Sequence, residues 1–323
     1  MGAFGLNASI MDAANLAWKI GLCAKDQANL TNLGPTYDRE RRLHALRIIH
    51  VSGSYLRFIC NSIFPLADIK GLGGDLGAAF IDTAPGYSSE PDSQGPNDDL
   101  AFLEYFFSNH SQFLLGVDAA YKPSIISPGD AEKDGFQRAI APLNGVRAPN
   151  PRVCFGEGAT GYLYDKMTGA AMFHIVIFGS DLQGPVREKV STFSRALAAP
   201  GFFNKFGKSN RFNILLVVKC LPFEAPELLR GRDLAFLRDH ATLVFDDRAP
   251  DEDAHNCYAV DHARGAVVVV RPDLWVGTSA FPEAVDDVNN YFDGFLVAVG
   301  RGAEVNGKVE IIGFREKDVN YST

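Results

Sequence analysis

Met172-Phe-His-Ile-Val-Ile-Phe178 is a short apolar run with the length and β-branched content of a strand buried on both faces. A turn follows it, and then a helix from Pro185 to about Ala198. Asn213 to Lys219 reads as a second buried strand, Pro226 to His240 as a helical segment, Thr242 to Phe245 as a strand and Ala266 to Val270 as another. Leu274 to Gly277 reads as a hairpin partner. Pro282 to about Val297 reads as a closing helix, with Val285, Val288, Phe292 and Phe295 on one apolar face.

Mixed strands and helices in this order, closed by a hairpin and a helix, predict a thioredoxin-like α/β domain over residues 146–323. That fold invites a redox reading, which the residues refuse. The turn after the first strand, Gly179-Ser-Asp-Leu-Gln-Gly-Pro185, has no cysteine where a Cys-x-x-Cys pair would sit at the helix N-terminus. The loop His262-Ala-Arg-Gly265 also lacks the proline that usually borders such a site. Disulfide exchange is therefore not expected.

Upstream of this domain, residues 1–80 read as two or more helices ending in the glycine-rich Gly71 to Gly77. Gly2, Ala3 and Gly5 let the backbone pass close to a flat ligand, and Asn7 or Ser9 is a candidate cap for the helix that follows. On that helix Ile10, Ala13, Ala14, Ala17, Ile20 and Ala24 form an apolar stripe, with Asp12, Asn15 and Lys19 on another face. The amides of Asn7 to Ile10 would then be unpaired and would favour negative charge. Pro35 suits the first turn of a second helix, where Asp38 and Arg42 form an i,i+4 pair and the alternating charges read as a solvated face. Residues 81–100, rich in Pro, Gly, Ser and acid, read as a flexible linker. Residues 101–145 regain aromatic density at Phe102, Tyr105, Phe106 and Phe113 and are expected to pack back on the first part as core.

The 323 residues are 46% hydrophobic and carry a net charge of −8, enough for a sizeable core. No basic stripe offsets the acidity, which argues against nucleic acid or an anionic membrane as partner. The apolar start is interrupted by Asp12, Asn15 and Lys19, so neither a membrane span nor a signal peptide is read there, and a cytoplasmic location is expected. Five scattered cysteines and seven dispersed histidines show no paired or metal-binding spacing, so neither a disulfide framework nor a metal site is expected.

Gly2-Ala-Phe-Gly-Leu-Asn7 followed by Asp12-Ala-Ala-Asn-Leu-Ala-Trp-Lys19 resembles the third FAD-contacting motif of the flavoprotein aromatic hydroxylases, the phenol and para-hydroxybenzoate hydroxylase family. Tyr37-Asp-Arg-Glu-Arg41 resembles that family's Y-x-x-E-R segment. Further on, Gly145-Val-Arg-Ala-Pro-Asn150 is similar to the entry strand of the phenol hydroxylase C-terminal domain. Ala266-Val-Val-Val-Val-Arg-Pro-Asp273 with Val276-Gly277 is similar to its hairpin, Leu274 and Trp275 standing where that family has Gly and Tyr.

The resemblance implies the C-terminal half of a phenol 2-monooxygenase-type enzyme: a helical remnant of an FAD-binding domain, then a thioredoxin-like domain without redox cysteines that serves in dimer contacts. It implies FAD as cofactor, NADPH as co-substrate, a small phenolic substrate and a homodimer, and it places Gly5, Leu6 and Asn7 beside the flavin as cofactor-binding residues. No residue is assigned a catalytic role. The family's G-x-G-x-x-G turn and its ribose- and pyrophosphate-holding motifs are not found here, so the FAD site is expected to be incomplete in this chain. The alternative reading is a non-catalytic truncated homologue, an assembly or dimerisation module whose first helix exposes its apolar stripe.

Overall fold

The computed structural model describes residues 3–62, 96–114, 121, 123–128, 139–140, 144–156, 158–246 and 253–299. Helices α1 (Ala3–Cys23), α2 (Leu30–Ile59) and α3 (Pro96–Leu114) come first. Then follow β1 (Arg152–Cys154), β2 (Thr160–Tyr162), β3 (Phe173–Phe178), α4 (Gly184–Ala198), α5 (Phe202–Lys205) and β4 (Phe212–Val218). The chain continues through α6 (Ala225–Leu228), α7 (Ala235–His240), β5 (Thr242–Phe245), α8 (Ala254–Cys257), β6 (Ala266–Val270), β7 (Val276–Ala280) and α9 (Val285–Asp293).

Among the described residues one seven-stranded sheet holds the strands in the order β2-β1-β5-β4-β3-β6-β7. β3, β4 and β5 run parallel, β6 lies antiparallel beside β3, and β7 lies antiparallel beside β6. A parallel β-α-β unit joined to an antiparallel β-β-α unit on one sheet is the thioredoxin-like arrangement. The apolar runs are explained by burial on both faces: every residue of β3 and of β6 is buried. Phe173, Ile175 and Ile177 point to one side with the α4 and α9 side chains Val190, Phe193, Val288 and Phe292. Val176 and Phe178 point to the other, where Tyr258, Val268 and Leu163 pack. Gly277 lets β7 pass beneath α9, since a Cβ there would lie 2.1 Å from the Tyr291 hydroxyl.

The hairpin between β6 and β7 is the element on which the candidate site rests. Leu274 donates its N–H to Arg271 O and Arg271 donates to Trp275 O, closing a loop in which Leu274 sits at φ +68°. This is a tight turn followed by a left-handed residue, a position where glycine is at ease and leucine is strained. The family resembled has glycine here.

Several expectations are corrected. The segment 226–240 is two short helices, because Gly231 at φ +142° breaks the run between them. Gly145 to Asn150 forms no strand but a single bridge from Arg147 to Trp275. Pro35 lies inside α2 and not in its first turn, since Asn29 caps the helix by accepting from Thr31 N. Pro96 to Asp99, read as the end of a linker, open α3 instead. A proline and two acids at a helix start suit its unpaired amides and dipole. There Asp99 is buried against Arg57 of α2, at 2.5 and 2.6 Å. Around that pair Val51, Phe102, Leu103 and Phe106 join α2 and α3. The Gly71 to Gly77 loop, most of the segment read as linker and residues 300–323 lie outside the described residues. No described helix is long and apolar enough to cross a membrane.

Candidate functional site

α1 is built the opposite way round from its sequence pattern. Asn15 and Lys19, expected on an exposed polar face, are 1% and 2% exposed, while Ile10 and Ile20 of the apolar stripe are 59% and 53% exposed. Trp18 and Leu22 turn inward with the polar pair, Trp18 meeting Phe173 of β3 edge-to-face with centroids 5.6 Å apart. The turn after α1 fixes the same docking: Ala28 bridges Leu296, and Asn29 N donates to Phe295 O beyond α9.

The polar face is buried because it meets matching charge. Arg271, at the end of β6, has no exposed surface. Its Nε donates to Asp273 at 2.9 Å, Nη1 to Glu40 at 2.6 Å and to Ser127 at 3.0 Å, and Nη2 to Glu40 at 3.1 Å and to Asp273 at 2.5 Å. All the donors of a guanidinium are thus used. Lys19 Nζ reaches Glu40 at 2.9 Å and Asn15 at 2.7 Å, and Asn15 Nδ2 donates to Glu40 at 2.7 Å. Trp18 and Tyr121 each present a ring 5.6 Å from the Arg271 guanidinium, and Tyr121 stacks on Trp275. Two cations and two carboxylates leave the cluster formally neutral.

Its electrostatics follow from burial and pairing. Burial alone would raise the Glu40 carboxyl, but Arg271 and then Lys19 outweigh it and hold it at about 2. Burial pulls Lys19 down to about 8 against the opposing pull of Glu40. The reading of residues 36–42 as a solvated face is therefore half right. Asp38 and Arg42 do pair at the surface, yet Glu40 and Arg41 are buried, Arg41 pairing with Asp12 at 2.5 Å. Leu33, Thr36, Glu40 and His44 share the inward side of α2 at helical spacing, a stripe that polar residues hide from a hydrophobicity pattern.

The residues read as flavin-contacting, Gly5, Leu6 and Asn7, lie at the far end of α1. The helix begins at Ala3, so Asn7 is in its second turn and caps nothing. Ser9 does not cap either, because its hydroxyl donates back to Gly5 O at 2.8 Å. The amides left unpaired within the helix are those of Ala3 to Gly5, a turn earlier than expected. Leu6 is 65% exposed, a Cβ on Gly5 would meet nothing within 4 Å, and the first turn carries no acid.

At the turn after β3, where a redox pair would sit, the chain holds a histidine instead. Ser180 N donates to His255 Nε2 at 3.0 Å, which leaves the proton on Nδ1 to be shared with Asp246 at 2.5 Å. Burial keeps His255 below its ordinary value despite Asp246. Asp246 also accepts from Ala254 N and His255 N, and Asp253 from Lys219 Nζ at 2.6 Å. Asp246, Asp253 and His255 come close enough to hold a metal ion, but their ligand atoms already have these partners. Elsewhere in the domain, burial pushes the Cys220 thiol up to about 11, away from the reactive thiolate.

A family model of the phenol hydroxylase C-terminal dimerisation domain matches residues 119–300, and a model of an FAD binding domain matches residues 1–52. A protein of Aspergillus terreus named FAD-dependent monooxygenase is 51% identical over 298 residues, covering 92% of this chain and 41% of that protein. A 3-(3-hydroxy-phenyl)propionate/3-hydroxycinnamic acid hydroxylase of Comamonas testosteroni is 44% identical over 309 residues, covering 88% of this chain and 46% of that protein. The chain thus spans less than half the length of these relatives. Among solved structures, a peroxiredoxin-like protein of Aquifex aeolicus aligns with a TM-score of 0.34 at 20% identity, over 48% of this chain and 89% of its own.

Proposed function

The chain belongs to the family of the phenol hydroxylase C-terminal dimerisation domain, and from that membership we propose that it acts as the C-terminal portion of an FAD-dependent aromatic hydroxylase. The observation that carries the proposal is the state of α1. Its polar face is locked to the sheet by the Arg271 cluster, while its first-turn amides and its apolar face are open.

FAD, when bound, would supply the activation of O₂ and the oxygen transfer to a phenolic ring, with NADPH as the reductant. The residues present fit one edge of that group. Gly5 offers its backbone N–H at the positive end of the helix dipole, with no acid in the first turn to compete, and Leu6 beside it is exposed. Asn7, whose own amide is inside the helix, contributes through its side chain. The face of Leu6, Ile10 and Ile20 is the surface that the nucleotide-binding part of such an enzyme would cover.

The thioredoxin-like part does no redox chemistry in this proposal. Ser180, His255 and Asp246 tie down the turn where thiols would act. Its role is assembly, as a homodimer. Sedimentation of the purified chain at micromolar concentration is expected to give a dimer, and a monodisperse monomer would contradict that role.

The hydroxylase reading is tested by a chimera in which this chain replaces the matching segment of the Aspergillus terreus relative. A stoichiometric flavin and NADPH oxidation stimulated by a phenol are expected. A folded, dimeric chimera that carries no flavin would overturn the proposal.

A further inference from the structure

The Tyr37-Asp-Arg-Glu-Arg41 segment ends on a second buried guanidinium, whose partners differ from those of Arg271. Arg41 is 3% exposed and donates in three directions: Nε to Asp12 at 2.5 Å, Nη1 to the Tyr121 hydroxyl at 3.2 Å and Nη2 to Ala8 O at 3.4 Å. A planar guanidinium holds three partners at fixed angles, which an ammonium does not. Burial pushes the Tyr121 hydroxyl up to about 12, so at neutral pH it is an uncharged acceptor.

Two of these partners lie on the outer half of α1. Gly5, Leu6, Ser9 and Ile10 are exposed there, so few apolar contacts hold this end. Among the described residues, the hydrogen bonds that reach the first half of α1 from another element are those of Arg41. The Arg271 cluster grips the same helix further on, at Lys19 and at Asn15. Asn15 is about 12 Å along the helix axis from Asn7, too far to hold the first turns by itself.

The third partner joins this end of α1 to the sheet. Tyr121 stacks on Trp275 of the β6–β7 hairpin with ring centroids 5.4 Å apart, and Met11 of α1 packs against the two rings. A line of contact thus runs from the hairpin through Tyr121 and Arg41 to Ala8 and Asp12, next to Gly5, Leu6 and Asn7.

We propose that Arg41 is a positioning residue for the flavin edge: it fixes the first turns of α1 against the hairpin, so that Gly5, Leu6 and Asn7 are held in one orientation by the thioredoxin-like part. The flavin side of this role rests on the hydroxylase reading, whereas the order of α1 is a property of the chain alone.

The first measurement uses the purified full chain without flavin. In Arg41→Met, hydrogen exchange of the α1 amides from Asn7 to Asp12 should speed up at least about tenfold, while those from Lys19 to Cys23 change by less than about twofold. Tyr121→Phe keeps the ring stack and removes the hydroxyl; it should give the same pattern at about threefold, and it decides the question where Arg41→Met does not fold. Arg41→Lys, which reaches Asp12 but not all three partners, should restore part of the protection. The second measurement carries the variants into the chimera with the Aspergillus terreus relative, where Arg41→Met should weaken FAD binding about tenfold. Faster exchange in both α1 segments equally, or in neither, would overturn the role of Arg41 and leave the hydroxylase reading standing. Unchanged FAD affinity in the variant chimera would overturn it too. A chimera with Arg41 intact that binds no flavin would overturn the hydroxylase reading, and the flavin side of this role with it.

Discussion

β3 and α1 meet at Phe173 and Trp18, yet they are held in place by opposite means. β3 is buried on both faces through side chains that are apolar except His174, and its position follows mainly from the hydrophobic effect. α1 is buried through Asn15 and Lys19 beside Trp18 and Leu22, and shows the rest of its apolar residues to solvent. An apolar strand finds its place by exclusion from water, whereas a polar helix face is buried only where specific charges await it. Here those charges are Glu40 and Asp273, both organised around Arg271.

The largest expected effect separates these two modes. Glu40→Gln would leave Arg271 and Lys19 buried without their shared carboxylate, and we expect a loss of about 3–5 kcal/mol in denaturant unfolding. In β3, Ile175→Val removes one buried methyl group and should cost only about 0.5–1.5 kcal/mol. A Glu40→Gln cost no larger than that of Ile175→Val would erase the distinction.

Acid titration sharpens it further. Glu40 is held at about 2 against an ordinary 4.5, so the stability it contributes is complete above about 4.5 and is lost as pH falls towards 2. Lys19 is lowered to about 8 from 10.5, so the cost of burying its charge is relieved as pH rises through that interval. Unfolding free energies measured against pH should show both limbs in the native chain. The acid limb should flatten in Glu40→Gln.

Two smaller effects complete the ordering. Leu274→Gly relieves the left-handed turn at φ +68° and should stabilise by up to about 1 kcal/mol, read as a raised denaturation midpoint. Ile10→Ser, on the outward face of α1, should change the stability of this chain by no more than about 0.5 kcal/mol. A large loss from Ile10→Ser would mean that the apolar stripe is the packed face.

The same contrast explains what the sequence made legible. The β3, β4 and β6 runs and the β5 boundaries are plain because their burial is written in apolar residues. The Arg271-Pro-Asp273 turn is readable from proline and aspartate, but Leu274 in the glycine-favouring slot is not, since tertiary packing carries its strain. The inward face of α1 is hidden because hydrophobic periodicity has no means of marking a polar residue whose partner lies on another element, as Glu40 does for Lys19 and Asp273, 258 residues away, does for Asn15. Gly5, Leu6 and Asn7 stand out by motif, while the helix start at Ala3 had no capping signal to mark it.

Arg271 and Glu40 join α1 and α2 to the sheet as one body. A double-mutant cycle of Glu40→Gln and Arg271→Met, followed by equilibrium unfolding, measures that link directly. We predict a single cooperative transition, with each single variant strongly destabilised and the double variant more stable than their sum by at least about 2 kcal/mol. Additivity within about 0.5 kcal/mol would contradict it.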